Sequence, residues 1–119
     1  MLTHVQQEQP LEFALQQNYP NPFNPSTTLG YTIAGPGHEA IGTSWVKLAV
    51  YDMLGREVAV LVNEKKEPGN YTVTWNAAGM ASGLYFYRLQ AQPVNAAVGR
   101  DSKSGAGEFV ATQRMMLLR

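Results

Sequence analysis

Val46-Lys47-Leu48-Ala49-Val50-Tyr51-Asp52-Met53-Leu54-Gly55-Arg56-Glu57-Val58 decides the fold. Val46, Leu48 and Val50 alternate with Lys47, Ala49 and Tyr51, a period of two that sends one set to each face of a strand. Asp52 to Arg56 reads as a turn: aspartate accepts bonds from nearby backbone donors, and Gly55 supplies the positive φ that closes a hairpin. The chain then returns as a strand over Glu57 to Val62. A helix over Val58 to Lys65 is disfavoured, because the apolar run is short and Pro68-Gly69 follows at once.

The same pattern spreads in both directions. Downstream, Asn63 to Pro68 reads as a charged loop. Tyr71, Val73 and Trp75 alternate with Thr72 and Thr74 in a further strand. Asn76 to Gly83 is a small-residue turn. Leu84 to Leu89 carries apolar bodies at nearly every position, which predicts a central strand covered on both faces. Gln92 to Gly107 is a polar loop, and Phe109 to Leu118 the last strand. Upstream, Ala34 to Ser44 is a loop. Thr27 to Ile33 is a strand with Leu29, Tyr31 and Ile33 on one face, and Phe13, Leu15 and Tyr19 share the parity of a short first strand. The pattern predicts an all-β chain, an immunoglobulin-like sandwich of about seven antiparallel strands. Residues 1–10 read as a linker or tail and residues 11–119 as the domain.

Composition removes several functions. The chain has 119 residues, enough for one core, and formal net charge zero. Zero net charge argues against a nucleic-acid partner, which calls for a basic face. Cysteine is absent, so disulfides, thiolate metal sites and thiol nucleophiles are excluded. No apolar run reaches about 18 residues, so no membrane-spanning helix is expected. The first residues lack the basic and apolar regions of a secretory leader; an exported protein would carry its leader further upstream.

The chemistry-bearing residues do not assemble into a catalytic set. His4 and His38 lack metal-ligand spacing. Ser26, Ser44, Ser82, Ser102 and Ser104 fall in turns or loops, without the Gly-x-Ser-x-Gly elbow. Asp52 and Glu57 flank a turn rather than a cleft, so Asp52 reads as a turn anchor. Asn18, Asn21, Asn24 and Asp52 carry oxygens that suit calcium, but no acidic loop spacing accompanies them. Gly35, Gly37 and Gly42 lack the lysine and helix of a phosphate cradle. No catalytic, cofactor or metal residue is assigned. Aromatic side chains are plentiful, and an exposed row of them would bind sugar; Trp45 and Tyr51 are the rings whose exposure decides that.

Asn18-Tyr19-Pro20-Asn21-Pro22-Phe23-Asn24-Pro25-Ser26-Thr27-Thr28 stands apart. Pro20, Pro22 and Pro25 forbid helix, remove donors and restrict their predecessors. Together with Phe13 to Gln17 this stretch resembles the opening of the type A C-terminal sorting domain of the type IX secretion system. Val46 to Val58, with Asp52, Gly55 and Arg56 at the turn, resembles its central hairpin. Gly69 to Trp75 and Ala81-Ser82-Gly83-Leu84-Tyr85-Phe86-Tyr87-Arg88-Leu89, with Gly83 and Tyr85, resemble its next two strands. Phe109 to Arg119 is similar to its terminal motif. The related immunoglobulin-like domain of flagellar hook-capping proteins shares the hairpin but not that ending.

The resemblance implies a targeting module and not an enzyme, without a cofactor. It implies a parent protein joined N-terminally, carried through the periplasm to the cell surface or medium. Partners would be the outer-membrane translocon, its shuttle proteins and a surface sortase cutting within Met1 to Leu11. Recognition would map to Arg114, Met115, Met116, Leu117, Leu118 and Arg119, on an edge strand offering unpaired backbone groups. The competing readings are a carbohydrate-binding accessory module of a secreted enzyme and a structural immunoglobulin-like spacer.

Overall fold

A computed structural model describes residues 12–35, 43–94 and 108–119. Its strands are β1 (Ala14–Leu15), β2 (Ser26–Ile33), β3 (Ser44–Tyr51), β4 (Glu57–Lys66), β5 (Gly69–Asn76), β6 (Gly83–Pro93) and β7 (Phe109–Leu117). Two antiparallel sheets, β1-β2-β5 and β4-β3-β6-β7, face each other. The expected tail Met1 to Pro10, His4, His38, Ser102, Ser104 and most of the two long loops lie outside the described residues.

Alternation builds the core. Leu29, Tyr31 and Ile33 of β2 face Val46, Leu48 and Val50 of β3, with Tyr85, Tyr87, Leu89 and Ala91 of β6 and Met115 and Leu117 of β7 completing the interior. Tyr31 stacks on Tyr71 with ring centroids 5.3 Å apart, and Trp75 meets the edge of Tyr85 at 5.7 Å. Such aromatic pairs add roughly 0.5–1.5 kcal/mol beyond their buried area. The buried Tyr87 hydroxyl donates to the carbonyl of Gln16 at 2.6 Å, and burial pushes its pKa up to about 12.

Several expected boundaries move. β4 runs on to Lys66, absorbing most of the segment read as a charged loop. Its pairing with β3 shifts register after Leu48 and again after Val50, so the strand is bulged, and its charged half is an exposed edge. β3 begins at Ser44, which is buried, and β2 at Ser26; neither serine lies in a loop. β6 extends to Pro93 and is not sealed on both faces: Leu84, Phe86, Arg88 and Gln90 are only half-buried. The first strand shrinks to two residues, and Tyr19, although it shares the parity of Leu15, is 80% exposed.

Candidate functional site

β7 is the outer strand of the four-stranded sheet, and its inner partner is β6. In an antiparallel ladder alternate residues turn both backbone groups to the same side. The register with β6, and the bonds that Met116 makes elsewhere, show that Val110, Thr112, Arg114 and Met116 turn theirs outward.

Most outward groups of the last half of β7 are already taken. The Phe23 amide donates to the Met116 carbonyl at 2.9 Å, and the Leu118 amide to the Phe23 carbonyl at 3.0 Å. Phe23 and Leu117 thereby form a parallel bridge. Asn21 Oδ1 accepts from the Met116 amide at 3.0 Å. Gln17 Nε2 donates to the Arg114 carbonyl at 2.9 Å, and Gln113 Nε2 to the Leu15 carbonyl at 3.0 Å. Residues 15–23 thus form a clasp that closes one side of the sandwich. The expectation of an edge with unpaired backbone groups is corrected here: from the Arg114 carbonyl onward the edge is covered. Among the described residues, the outward groups of Val110 and Thr112 have no such cover.

The clasp is held by a polar knot and an aromatic plug. Asn18, 2% exposed, donates through Nδ2 to the Pro20 carbonyl at 3.1 Å and to Thr27 Oγ1 at 2.9 Å. Its Oδ1 accepts from Gln17 Nε2 at 2.6 Å, and Thr27 Oγ1 donates to the Pro20 carbonyl at 2.9 Å. Proline supplies carbonyls here without a competing amide, which suits a chain whose acceptors are met by side chains. Phe23 is the plug: it is 2% exposed and packs its ring 5.8 Å from that of Trp75. Pro20, Pro22, Asn21 and Asn24 line the solvent side, with Pro25 half-buried.

The six residues mapped for recognition divide by strand parity. Met115 and Leu117 are 1% and 0% exposed and belong to the core. Arg114, Leu118 and Arg119 face solvent, with Met116 half-buried. Arg119 is tied to the loop before β6: its amide donates to Ser82 Oγ at 2.9 Å and its Nη1 to the Met80 carbonyl at 3.0 Å. Gly83 at the end of that loop has φ +149°, and the Tyr85 hydroxyl donates to the Ala81 carbonyl at 2.7 Å. Gln17, Ser82 and Gln113 belong to the site, a role the sequence did not assign to them. Polar side chains that bond to distant backbone leave no periodic signal.

Asp52 is the expected turn anchor. Its Oδ1 accepts from the amides of Leu54 and Arg56 at 2.9 and 3.0 Å, and its Oδ2 from Arg56 Nε at 2.8 Å. The Arg56 amide, then its guanidinium and the Leu54 amide, hold the carboxyl below its usual range. Gly55 sits at φ +85°. The two test rings are apart in environment: Trp45 is 47% exposed and donates to Asn63 Oδ1, whereas Tyr51 lies beneath Arg88. Among the described residues no cluster of His, Cys, Asp and Glu stands ready for a metal. No helix there is long and apolar enough to cross a membrane.

The profile of the secretion system C-terminal sorting domain family matches residues 17–97. The chain belongs to this family. The match takes in residues 17–23 of the clasp, the Asp52 hairpin and β2 through β6, so the sandwich is a sorting domain of immunoglobulin-like fold serving type IX secretion, which directs proteins toward the cell surface or exterior. No curated protein matches the chain. Among solved structures, the sensor domain of the anti-sigma factor RsgI4 from Pseudobacteroides cellulosolvens is similar at 11% identity, covering 92% of this chain and 97% of that one with a TM-score of 0.49.

Proposed function

We propose that this sorting domain is an address read at β7 and the two residues after it. A larger parent, joined upstream of the sandwich, would be delivered by it to the outer-membrane translocon through shuttle proteins. A surface sortase would then cut ahead of β1. The observation that carries this reading is the division of the terminal strand: Met115 and Leu117 anchor it in the core, and Arg114, Leu118 and Arg119 stand outward on a fixed register. Recognition needs contacts presented by a rigid support, and alternation supplies both from one strand.

The structure also chooses the experiment. Deleting Met115 to Arg119 would remove core side chains and destroy the sandwich along with the label. A triple variant, Arg114→Gln, Leu118→Ser and Arg119→Gln, touches only solvent-facing side chains and gives up one exposed hydrogen bond, from Arg119 to the Met80 carbonyl. Expected outcome: the isolated domain stays folded with a melting temperature lowered by a few degrees at most, while the parent accumulates in the periplasm on cell fractionation. Surface display at the unsubstituted level would refute the reading.

A further inference from the structure

A second feature lies on the outer face of the four-stranded sheet, beside the Asp52 hairpin. A cavity of about 250 Å³ is lined by Tyr51, Asp52, Met53, Phe86, Arg88 and Thr112. The Arg88 guanidinium carbon sits 4.7 Å from the centre of the Tyr51 ring, and Arg88 Nη2 donates to the Tyr51 hydroxyl at 3.0 Å. Arg88 Nε is buried and has no acceptor among the described residues.

The neighbouring acids are committed to other cations. Glu57 pairs with Lys47 at 3.1 Å and Asp52 with Arg56 at 2.8 Å. Arg88 therefore has no ion-pair partner among the described residues; it is fixed on the Tyr51 ring with its Nε short of an acceptor. A guanidinium held flat by stacking is pre-set for a planar, forked anion. The register puts Phe86 opposite Arg114 and Arg88 opposite Thr112, so the cavity lies on the same outer face as the outward residues of β7.

We propose that this cavity is a carboxylate pocket filled by a glutamate side chain of a peptide segment in the export machinery. Its volume falls below the roughly 300 Å³ at which small-molecule sites begin, and suits one side chain. Phe86 and Met53 offer apolar walls for the methylene stem. Asp52, ionised in the lining, repels a dianionic phosphate more strongly than a single carboxylate. The choice of partner rests on the sorting reading; the carboxylate chemistry rests on Arg88 alone.

The test titrates the isotope-labelled full chain, followed by nuclear magnetic resonance, with acetylated triglutamate amide, the triglutamine counterpart and inorganic phosphate at low salt. The Arg88 Nε–H signal and the Gly55 and Thr112 amides shift saturably with triglutamate and not with the other two. Arg88→Gln and Arg88→Lys each weaken binding by about tenfold or more, the worth of one hydrogen bond to a charged group. Equal responses to triglutamate and triglutamine, a stronger response to phosphate, or unchanged binding by either variant overturns the pocket. The unsubstituted arms decide the matter if a variant fails to fold. In cells, Arg88→Gln in the parent lowers surface display, and full display overturns the partner assignment. That failure differs from failure of the sorting reading, which shows in the Arg114, Leu118 and Arg119 variant instead.

Discussion

The two outer strands of the four-stranded sheet guard their free edges by opposite means. β4 is long, bulged twice and charged, with Glu64 and Lys65 exposed at its far end. Bulges twist an edge out of register and charges make a docking strand costly. β7 is regular along its whole register with β6, and its outward groups from the Arg114 carbonyl onward are occupied by the chain's own residues 17–23. One edge deters partners in general. The other is a good template kept covered at one end, which is where a strand that carries information has to remain regular. β4 needs only to be left alone, so irregularity costs it nothing in function.

The clasp is the place to break this contrast. Phe23→Ala removes the plug, leaves a cavity against Trp75 and frees the end of β7. Destabilisation of about 3–5 kcal/mol is expected, measured by urea denaturation, together with a concentration-dependent dimer from the bared edge. A loss below ~1 kcal/mol would mean that the sandwich does not depend on its cover.

Asn21→Ala is gentler. It takes one acceptor from the exposed Met116 amide, so a loss of about 0.5–1.5 kcal/mol is expected. Hydrogen exchange at Met116 should accelerate while that of β3 amides stays unchanged. Uniform acceleration would show the clasp to be part of one global unit.

Asp52 tests the β4 side. Its carboxyl is held below the usual range by the Arg56 amide, the Arg56 guanidinium and the Leu54 amide. A depressed folded-state pKa gives stability that is present above the unfolded pKa and is lost as pH falls through the folded one. Asp52→Asn should therefore flatten the acid limb of the stability curve below the ordinary aspartate range. The effect is small because the group is exposed, and a parallel shift of the whole curve would rule out this cause. The β7 register should be untouched at every pH.

Most of the sandwich was legible from alternation. Val46 to Val50, Tyr71 to Trp75 and the Asp52 turn announce themselves locally, because the residues that form the pattern are the ones it packs. The far end of β4 was not legible. Asn63, Glu64, Lys65 and Lys66 look like a loop by composition, yet an edge strand with a solvent face tolerates that composition. The clasp was harder still. Phe23, an apolar residue between Pro22 and Asn24, shows no period, and its backbone partners lie more than 90 residues away. The division of Arg114 to Arg119 follows from the same period of two that revealed the strand. It gives parity, but only the fold says which parity is inward.

The bonds from Gln17 to Arg114, Leu15 to Gln113 and Asn21 to Met116 span 97, 98 and 95 residues. Contacts this distant close late, since the intervening loop must be gathered first. On the ribosome, the proline-asparagine stretch emerges before β7, so its bonds to that strand wait until β7 is made, although its partners in β2 and β5 are already at hand. Newly made chains therefore carry a waiting period in which the two halves of the clasp are not yet joined, and it ends only when β7 arrives. A helper that met the chain during synthesis would find that strip bare, and one arriving afterwards would find it shut.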